Sequence, residues 1–420
     1  MRIAVCGLIR SDNLGEKFIS DSLSWIVADE LKKHNREDLP IFIETDISAR
    51  TDIISDYEKS IENRQRNFYG YKISGLPLDR FYNLLRKVAK KFKNKHIKNT
   101  IFRLRSLIWK YGSNFRKRHL TYYETKFKDA DLILIDGAGL LEYSSNEYQE
   151  PLNLITEYAQ KHGIPVVFNA IGRAGEFDPD DYRCQVLMKA FQRDCVKYVS
   201  ARDSVEDVQE CVGQRFHVKL LADAAMCSSD AYGIAKSGTN PKLIGIGLVR
   251  GTALQSYNVN FTPENWVDLF AGIALELQNR GFDFQFFTNG LRSDYRLGQQ
   301  VLVKLGLGPE FLVDRPTDAK VLYQTISGYS GLITCRMHSS IAAFSMGIPS
   351  VILSWNKKVD KYMDIIGYPH RAITKEQFDP VYIVDMLEDA LQTGISEEKL
   401  LHMKQKARES VTDYINLLIH

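Results

Sequence analysis

Arg336 and His338 stand two residues apart, between a strand-like run, Leu332–Thr334, and a stretch from Ser339 to Met346 that reads as a helix. Arginine offers a planar fork that matches a carboxylate or a phosphate. Histidine is the side chain best suited to give and take a proton near neutral pH. Just before a helix, free N–H groups and partial positive charge add to the attraction for an anion. Lys358 follows the next strand, Pro349–Ser354, one strand–helix unit on, so it can reach the same spot. Arg202 ends an earlier strand in Ala201-Arg202-Asp203. By type alone, these residues describe a small anion in a cationic cleft with an acid nearby. Plainer roles stand beside that one. His338 could cap or pack the helix, Arg202 could pair with Asp203 or Glu206, and Lys358 could share a solvated face with Lys357 and Lys361.

These residues are positioned by strands and helices in alternation. Ile3–Leu8 reads as a strand running into a loop with Asn13-Leu14-Gly15, followed by a helix with Phe18, Ile19, Leu23, Ile26, Val27 and Leu31 on one side. Asp131–Asp136 is a second apolar strand ending in Gly137-Ala138-Gly139. Strands at Pro165–Ala170 and Lys197–Ser200 follow, and the pattern restarts at Leu243–Val249, Phe282–Phe287 and Leu332–Thr334. Near-continuous apolar strands between helices mean parallel sheets covered on both faces. The expected fold is α/β, with two Rossmann-like domains facing across a cleft lined by the loops at the carboxyl ends of the strands. The small, polar stretch Gly233–Pro241 marks the boundary, giving domains at 1–235 and 236–420. The final segment, Glu397–His420, is expected to be helical and to pack back on the N-terminal domain. Asn13 and Asp136 are candidates for hydrogen bonds to a ligand, with turn chemistry as the alternative.

One segment breaks the pattern. Between Arg80 and Arg118 there are fourteen Lys or Arg and no Asp or Glu, so a chain of net charge +3 carries −11 elsewhere (3 less 14). Its apolar residues fall at helical spacing: Phe81, Leu84, Leu85, Val88 and Phe92, then Ile97, Ile101, Leu104, Leu107, Ile108 and Tyr111. This predicts a basic amphipathic insertion at about 78–120, and an anionic partner such as a membrane surface through 80–118. Its aromatic residues sit at core-like positions and not as a stacking platform, so nucleic acid is not expected. The six cysteines form no CxxC pair and no zinc-finger spacing to histidine. They read as reduced core thiols, and no metal site is expected. No stretch reaches the ~18–20 apolar residues of a membrane span. A cytoplasmic protein, peripheral at the inner face of the cell membrane, fits these features.

The motifs together resemble those of the polysaccharide pyruvyl transferases. They are Asn13-Leu14-Gly15, Asp129-Ala130-Asp131-Leu132 leading to Asp136-Gly137-Ala138-Gly139-Leu140, and Ala201-Arg202-Asp203-Ser204. With them go Arg336-Met337-His338-Ser339 with Ala343, Gly347, Ile348 and Pro349, and Lys358-Val359 with Met363 and Gly367. The sequence departs from the family at Ala138, where a third glycine is usual, and at Trp355, where tyrosine is common. The resemblance implies a bacterial transferase of capsule or exopolysaccharide synthesis. It would move the enolpyruvyl carbons of phosphoenolpyruvate (PEP) onto two hydroxyls of a glycan acceptor, free or carried on a lipid diphosphate. No cofactor is implied beyond the donor. Arg336, Arg202, Lys358 and Ser339 would bind PEP, His338 would deliver the proton, and Asn13 and Asp136 would meet the acceptor. Two alternatives stand beside this: a glycosyltransferase of the same two-domain shape using a nucleotide sugar, and a non-enzymatic protein that binds anionic surfaces.

Overall fold

A computed structural model describes the chain except residues 35–38, 50–80, 82, 83, 86, 87, 90, 93, 112, 113, 142–147, 174–176, 252, 253, 255–260, 356 and 420. It divides into two units, each built on one parallel five-stranded sheet. The first unit comprises residues 1–11, 27–221 and 410–420, and the second 12–26 and 222–409.

In the first unit the sheet order is β2-β1-β3-β4-β5, from β1 (Arg2–Gly7), β2 (Ile41–Asp46), β3 (Leu132–Ile135), β4 (Val166–Ile171) and β5 (Val196–Ala201). β3 and β4 are buried at every position, as expected of strands covered on both faces. In the second unit the order is β10-β9-β8-β6-β7, from β6 (Leu243–Gly247), β7 (Asp283–Phe287), β8 (Gly331–Thr334), β9 (Ser350–Leu353) and β10 (Ala372–Ile373). Its core gathers Trp266, Phe270, Phe286, Val351 and Leu387 from strands and covering helices. In each sheet the strand order reverses beside the unit's first strand, between β1 and β3 and between β6 and β8. Open α/β sheets bind their ligands at such switch points.

Two Rossmann-like units are what the apolar alternation led us to expect. The expected boundary at 235/236 is corrected. The division falls at 221/222 because the helix Ser228–Tyr232 belongs to the second core: Ser228 bonds Ser345 at 3.0 Å, and Tyr323 bonds Ser345 at 2.6 Å. The chain also changes unit within one helix. α1 (Gly15–Lys33) contributes its first half to the second unit, where Phe18 packs edge-on against Tyr323, and its last turns to the first. Residues 410–420 belong to the first unit, where Tyr198 and Lys219 each bond Asp413 at 2.8 Å.

The basic insertion is described from its second half. α2 (Lys95–Tyr111) and α3 (Asn114–Phe127) belong to the first unit. Phe102, Arg105 and Trp109, at three- and four-residue spacing, form the buried face of α2. Phe102 lies under the Arg183 guanidinium, and Ser106 accepts from the Tyr182 hydroxyl at 3.1 Å. Trp109 stacks on Phe115 and meets His119 of α3 edge-on. Of the expected first helix, Leu85 and Ala89 are buried, and Lys87, Lys90 and Lys93 lie outside the described residues.

Candidate functional site

The loop after β8 enters the helix Met337–Ser345 through Arg336, which is the helix's N-cap residue in extended conformation and provides no side-chain cap. His338 therefore lies inside the first turn and is not a cap. It is 5 % exposed, and its ring lies between two carboxylates. Nδ1 is 3.7 Å from Glu16 and Nε2 is 3.8 Å from Asp223, distances that suit ion pairing and are too long for hydrogen bonds. Asp223 is held by accepting from the Ala225 amide at 2.9 Å, and Glu16 by accepting from the Asn13 amide nitrogen at 3.3 Å.

Gly15 makes this approach of α1 feasible. A Cβ there would come within 2.6 Å of the His338 Cβ and 3.1 Å of the Asn289 amide nitrogen. Asn289, at the end of β7, takes the Leu14 amide on its carbonyl at 2.9 Å and the Ser339 hydroxyl on its side chain at 2.6 Å. His338 Nε2, Asn289 Nδ2 and Glu16 Oε2 are buried with no hydrogen-bond partner among the described residues. Buried polar groups are nearly always paired, so three orphans in one place make this loop cluster the candidate site.

Arg336 is 8 % exposed and gives Nε at 3.1 Å and Nη2 at 2.5 Å to one oxygen of Asp294, in the helix after β7. Burial raises the Asp294 carboxyl above its ordinary range, and the guanidinium works against that rise. Asp294 thus fixes the direction of the Arg336 fork. Lys358 is half-buried in the first turn of the helix Lys357–Ile365, after β9.

Asp136 belongs to the first unit, whereas Asn13 belongs here, with Glu16 and Leu14 in the second. Its expected place on the N-terminal side is corrected. The short path from Leu14 to Asn289 draws residues 12–26 out of the first unit. Ser339, fully buried, spends its hydroxyl proton on Asn289, so it orients that amide.

The first unit holds Asp136 and Arg202. Asp136 lies over Gly7, where a Cβ would be 1.9 Å from its carboxylate oxygen. Ala138 adopts φ +64°, a left-handed conformation that suits glycine, so the departure noted in the sequence carries backbone strain. The Ala138 carbonyl accepts from the Gly172 amide at 2.8 Å. Arg202, 7 % exposed, has Nε 4.0 Å from Asp203, the pairing its plainer reading foresaw. Asn169, fully buried on β4, has neither amide atom hydrogen-bonded among the described residues.

Sequence reasoning passed over Glu16, Asp223, Asn289, Asp294 and Asn169. The Asn13-x-x-Glu16 spacing is that of a capping box and was a usable signal for Glu16. Asp223 and Asn289 each end an apolar run, as His338 does. Asp294 and Asn169 left no local signal. No group of three or more His, Cys, Asp or Glu able to hold a metal occurs among the described residues.

The family model for polysaccharide pyruvyl transferases matches residues 21–357. The chain belongs to that family. It is thereby a transferase of polysaccharide biosynthesis. No curated protein matches the sequence. Among solved structures, the UDP-GlcNAc 2-epimerase of Methanocaldococcus jannaschii has 10 % identity and a TM-score of 0.53, covering 99 % of this chain and 100 % of that one. The Neisseria meningitidis UDP-GlcNAc 2-epimerase bound to UDP-GlcNAc has 10 % identity and a TM-score of 0.50, covering 100 % of both chains. These likenesses establish the two-unit α/β fold over the whole length.

Proposed function

We propose that this pyruvyl transferase moves the enolpyruvyl carbons of PEP onto two hydroxyls of a sugar in a cell-surface polysaccharide or its lipid-linked precursor, releasing phosphate. The observation that carries the reading is His338: a buried imidazole whose Nε2 has no hydrogen bond among the described residues, in the first turn of an uncapped helix, next to the Arg336 fork. Arg336, Lys358 and the helix start hold the carboxylate and phosphate of PEP. His338 gives its proton to the methylene carbon, leaving the neighbouring carbon electron-poor. The first hydroxyl oxygen bonds there and its proton returns to His338. The second hydroxyl bonds to the same carbon as the carbon–oxygen bond to phosphate breaks. The electron pair leaves with phosphate, which takes the second hydroxyl's proton. Glu16 and Asp223 face the two ring nitrogens of His338 at 3.7 and 3.8 Å and orient the imidazole. In the first unit, Asp136 is the carboxylate suited to an acceptor hydroxyl, and Arg202 is a cation suited to an anionic substrate group.

The test is thermal stabilisation by PEP against a panel of nucleotide sugars, using wild type, Lys358→Ala and the double variant Arg336→Met/Asp294→Leu. A ligand at a hundred times its Kd stabilises by about 2.7 kcal/mol. Stabilisation by PEP that both variants lose, with phosphate release abolished by His338→Asn, is expected. Stabilisation by a nucleotide sugar alone would replace this reading with glycosyl transfer.

A further inference from the structure

Seven of the eighteen large hydrophobic side chains exposed among the described residues fall between 81 and 111. Scattered apolar residues on a surface need no explanation, but a concentration does. Four lie on α2: Ile97 at 43 %, Leu104 at 41 %, Leu107 at 54 % and Tyr111 at 74 % exposed. Their spacing of seven, three and four residues puts them on one side of the helix. This side is distinct from the one that carries Phe102, Arg105 and Trp109 into the fold. Ile101 and Ile108, half-buried, join the two. α2 thus has an apolar face beyond the one its packing uses.

The charges beside that face are of one sign. Exposed Arg103 and Lys110 are seven residues apart and flank the apolar row, with His96 in line. Lys117 is exposed on α3, and Lys91 is exposed before α2. The segment from 80 to 118 has no acid of its own. Acids from elsewhere do reach some of its cations: Lys95 pairs with Asp178 at 2.8 Å, and Arg116 with Glu157 at 3.0 Å. Those pairs fasten the helices to the body of the unit and lie apart from the Leu104–Leu107–Tyr111 row.

We propose that this face of α2 docks on an anionic lipid bilayer, with Leu104, Leu107 and Tyr111 entering the acyl boundary and Arg103 and Lys110 at the headgroups. The chemistry selects this occupant. Aliphatic side chains gain nothing from a nucleic acid, and a polar acidic protein would satisfy the cations and leave the leucines wet. Only a surface that is anionic outside and apolar a few ångströms below satisfies both rows at once. The inference rests on the proposed function only for its purpose, which is to hold the enzyme where a lipid-linked acceptor lies.

The experiment is co-sedimentation of the full chain with vesicles of phosphatidylcholine alone, or of phosphatidylcholine with phosphatidylglycerol, without substrate. The variants are Leu104→Gln/Leu107→Gln and Arg103→Ser/Lys110→Ser, all at exposed positions and checked for folding by thermal melting. Wild type is expected to bind only the anionic vesicles. The leucine pair should weaken binding at least about tenfold at unchanged charge. The cation pair should weaken it about fivefold per charge removed. Failure to bind anionic vesicles would overturn the proposal, as would binding that the leucine pair leaves intact, or preference for an RNA competitor over lipid. Because no substrate is present, PEP stabilisation stands or falls separately.

Discussion

Replacing Asp294 tests whether the Arg336 fork is held by a single buried partner. Asp294 is fully buried and Arg336 is 8 % exposed, with contacts at 3.1 and 2.5 Å to one carboxylate oxygen. At an effective dielectric near 20, opposite charges 4 Å apart attract by about 4 kcal/mol. Removing one member of such a pair costs about 3–5 kcal/mol, because the other is left charged and buried. The second unit, near 200 residues, should therefore lose roughly 6–20 °C in Tm on Asp294→Leu, at about 2–4 °C per kcal/mol. The reverse substitution should cost less. An arginine cannot shed its proton, whereas Asp294, already raised by burial, can take one up once Arg336→Met removes the opposing guanidinium. A carboxyl raised in the fold costs stability above its unfolded range, and the cost is relieved as pH falls. The Arg336→Met deficit should therefore shrink toward pH 5, and the Asp294→Leu deficit should not. The double variant should recover to within about 1 kcal/mol of wild type, since an apolar pair of similar volume replaces a buried ion pair at little cost. It should still gain nothing from PEP. Urea unfolding followed by tryptophan fluorescence at pH 7 and pH 5 reads all four proteins. Additive single costs with no recovery in the double variant would refute the paired assignment.

Two further outcomes follow from the first unit. Burial holds His119 down at about 4, against the pull of its 2.8 Å contact with the Phe115 carbonyl. A histidine depressed in the fold contributes fully above its unfolded value of about 6.5, and that contribution is lost as pH falls toward 4. Wild type should lose about 3 kcal/mol more than His119→Leu between pH 7 and pH 4, and equal pH dependence by urea unfolding would contradict this. Ala138→Gly removes a side chain from φ +64° and should raise stability by about 0.5–1 kcal/mol in a melting experiment, with a loss refuting the strain.

Much of this was legible in the sequence, for reasons that can be named. Apolar runs such as Leu132–Ile135 announce strands buried on both faces, and such strands dictate a parallel sheet. His338 and Arg336 were visible because the residues after such a run fall at the sheet's carboxyl edge. Their partners were hidden because each comes from a different turn of the chain. Glu16 is more than three hundred residues from His338, Asp223 more than a hundred, and Asp294 is 42 residues from Arg336. Only packing brings them together, and no spacing rule anticipates it. The boundary at 221/222 was obscured for the opposite reason. The polar stretch at 233–241 looks like a linker, yet Ser237 bonds back to Ser327 at 2.8 Å within the second unit.

The passage of α1 from one unit to the other sets the order in which the protein can be made. Residues 12–26 are synthesised early but belong with 222–409. At about 5–20 residues per second, nearly 200 residues must follow before residue 222 emerges, a delay of about 10–40 s. Phe18, Ile19 and Leu23 spend that time without the core they will enter, an interval in which a nascent chain is exposed to aggregation and to chaperones. Gly15 and Glu16 wait longer still, until His338 has been added. A product of translation shortened before His338 cannot assemble this imidazole between its two carboxylates.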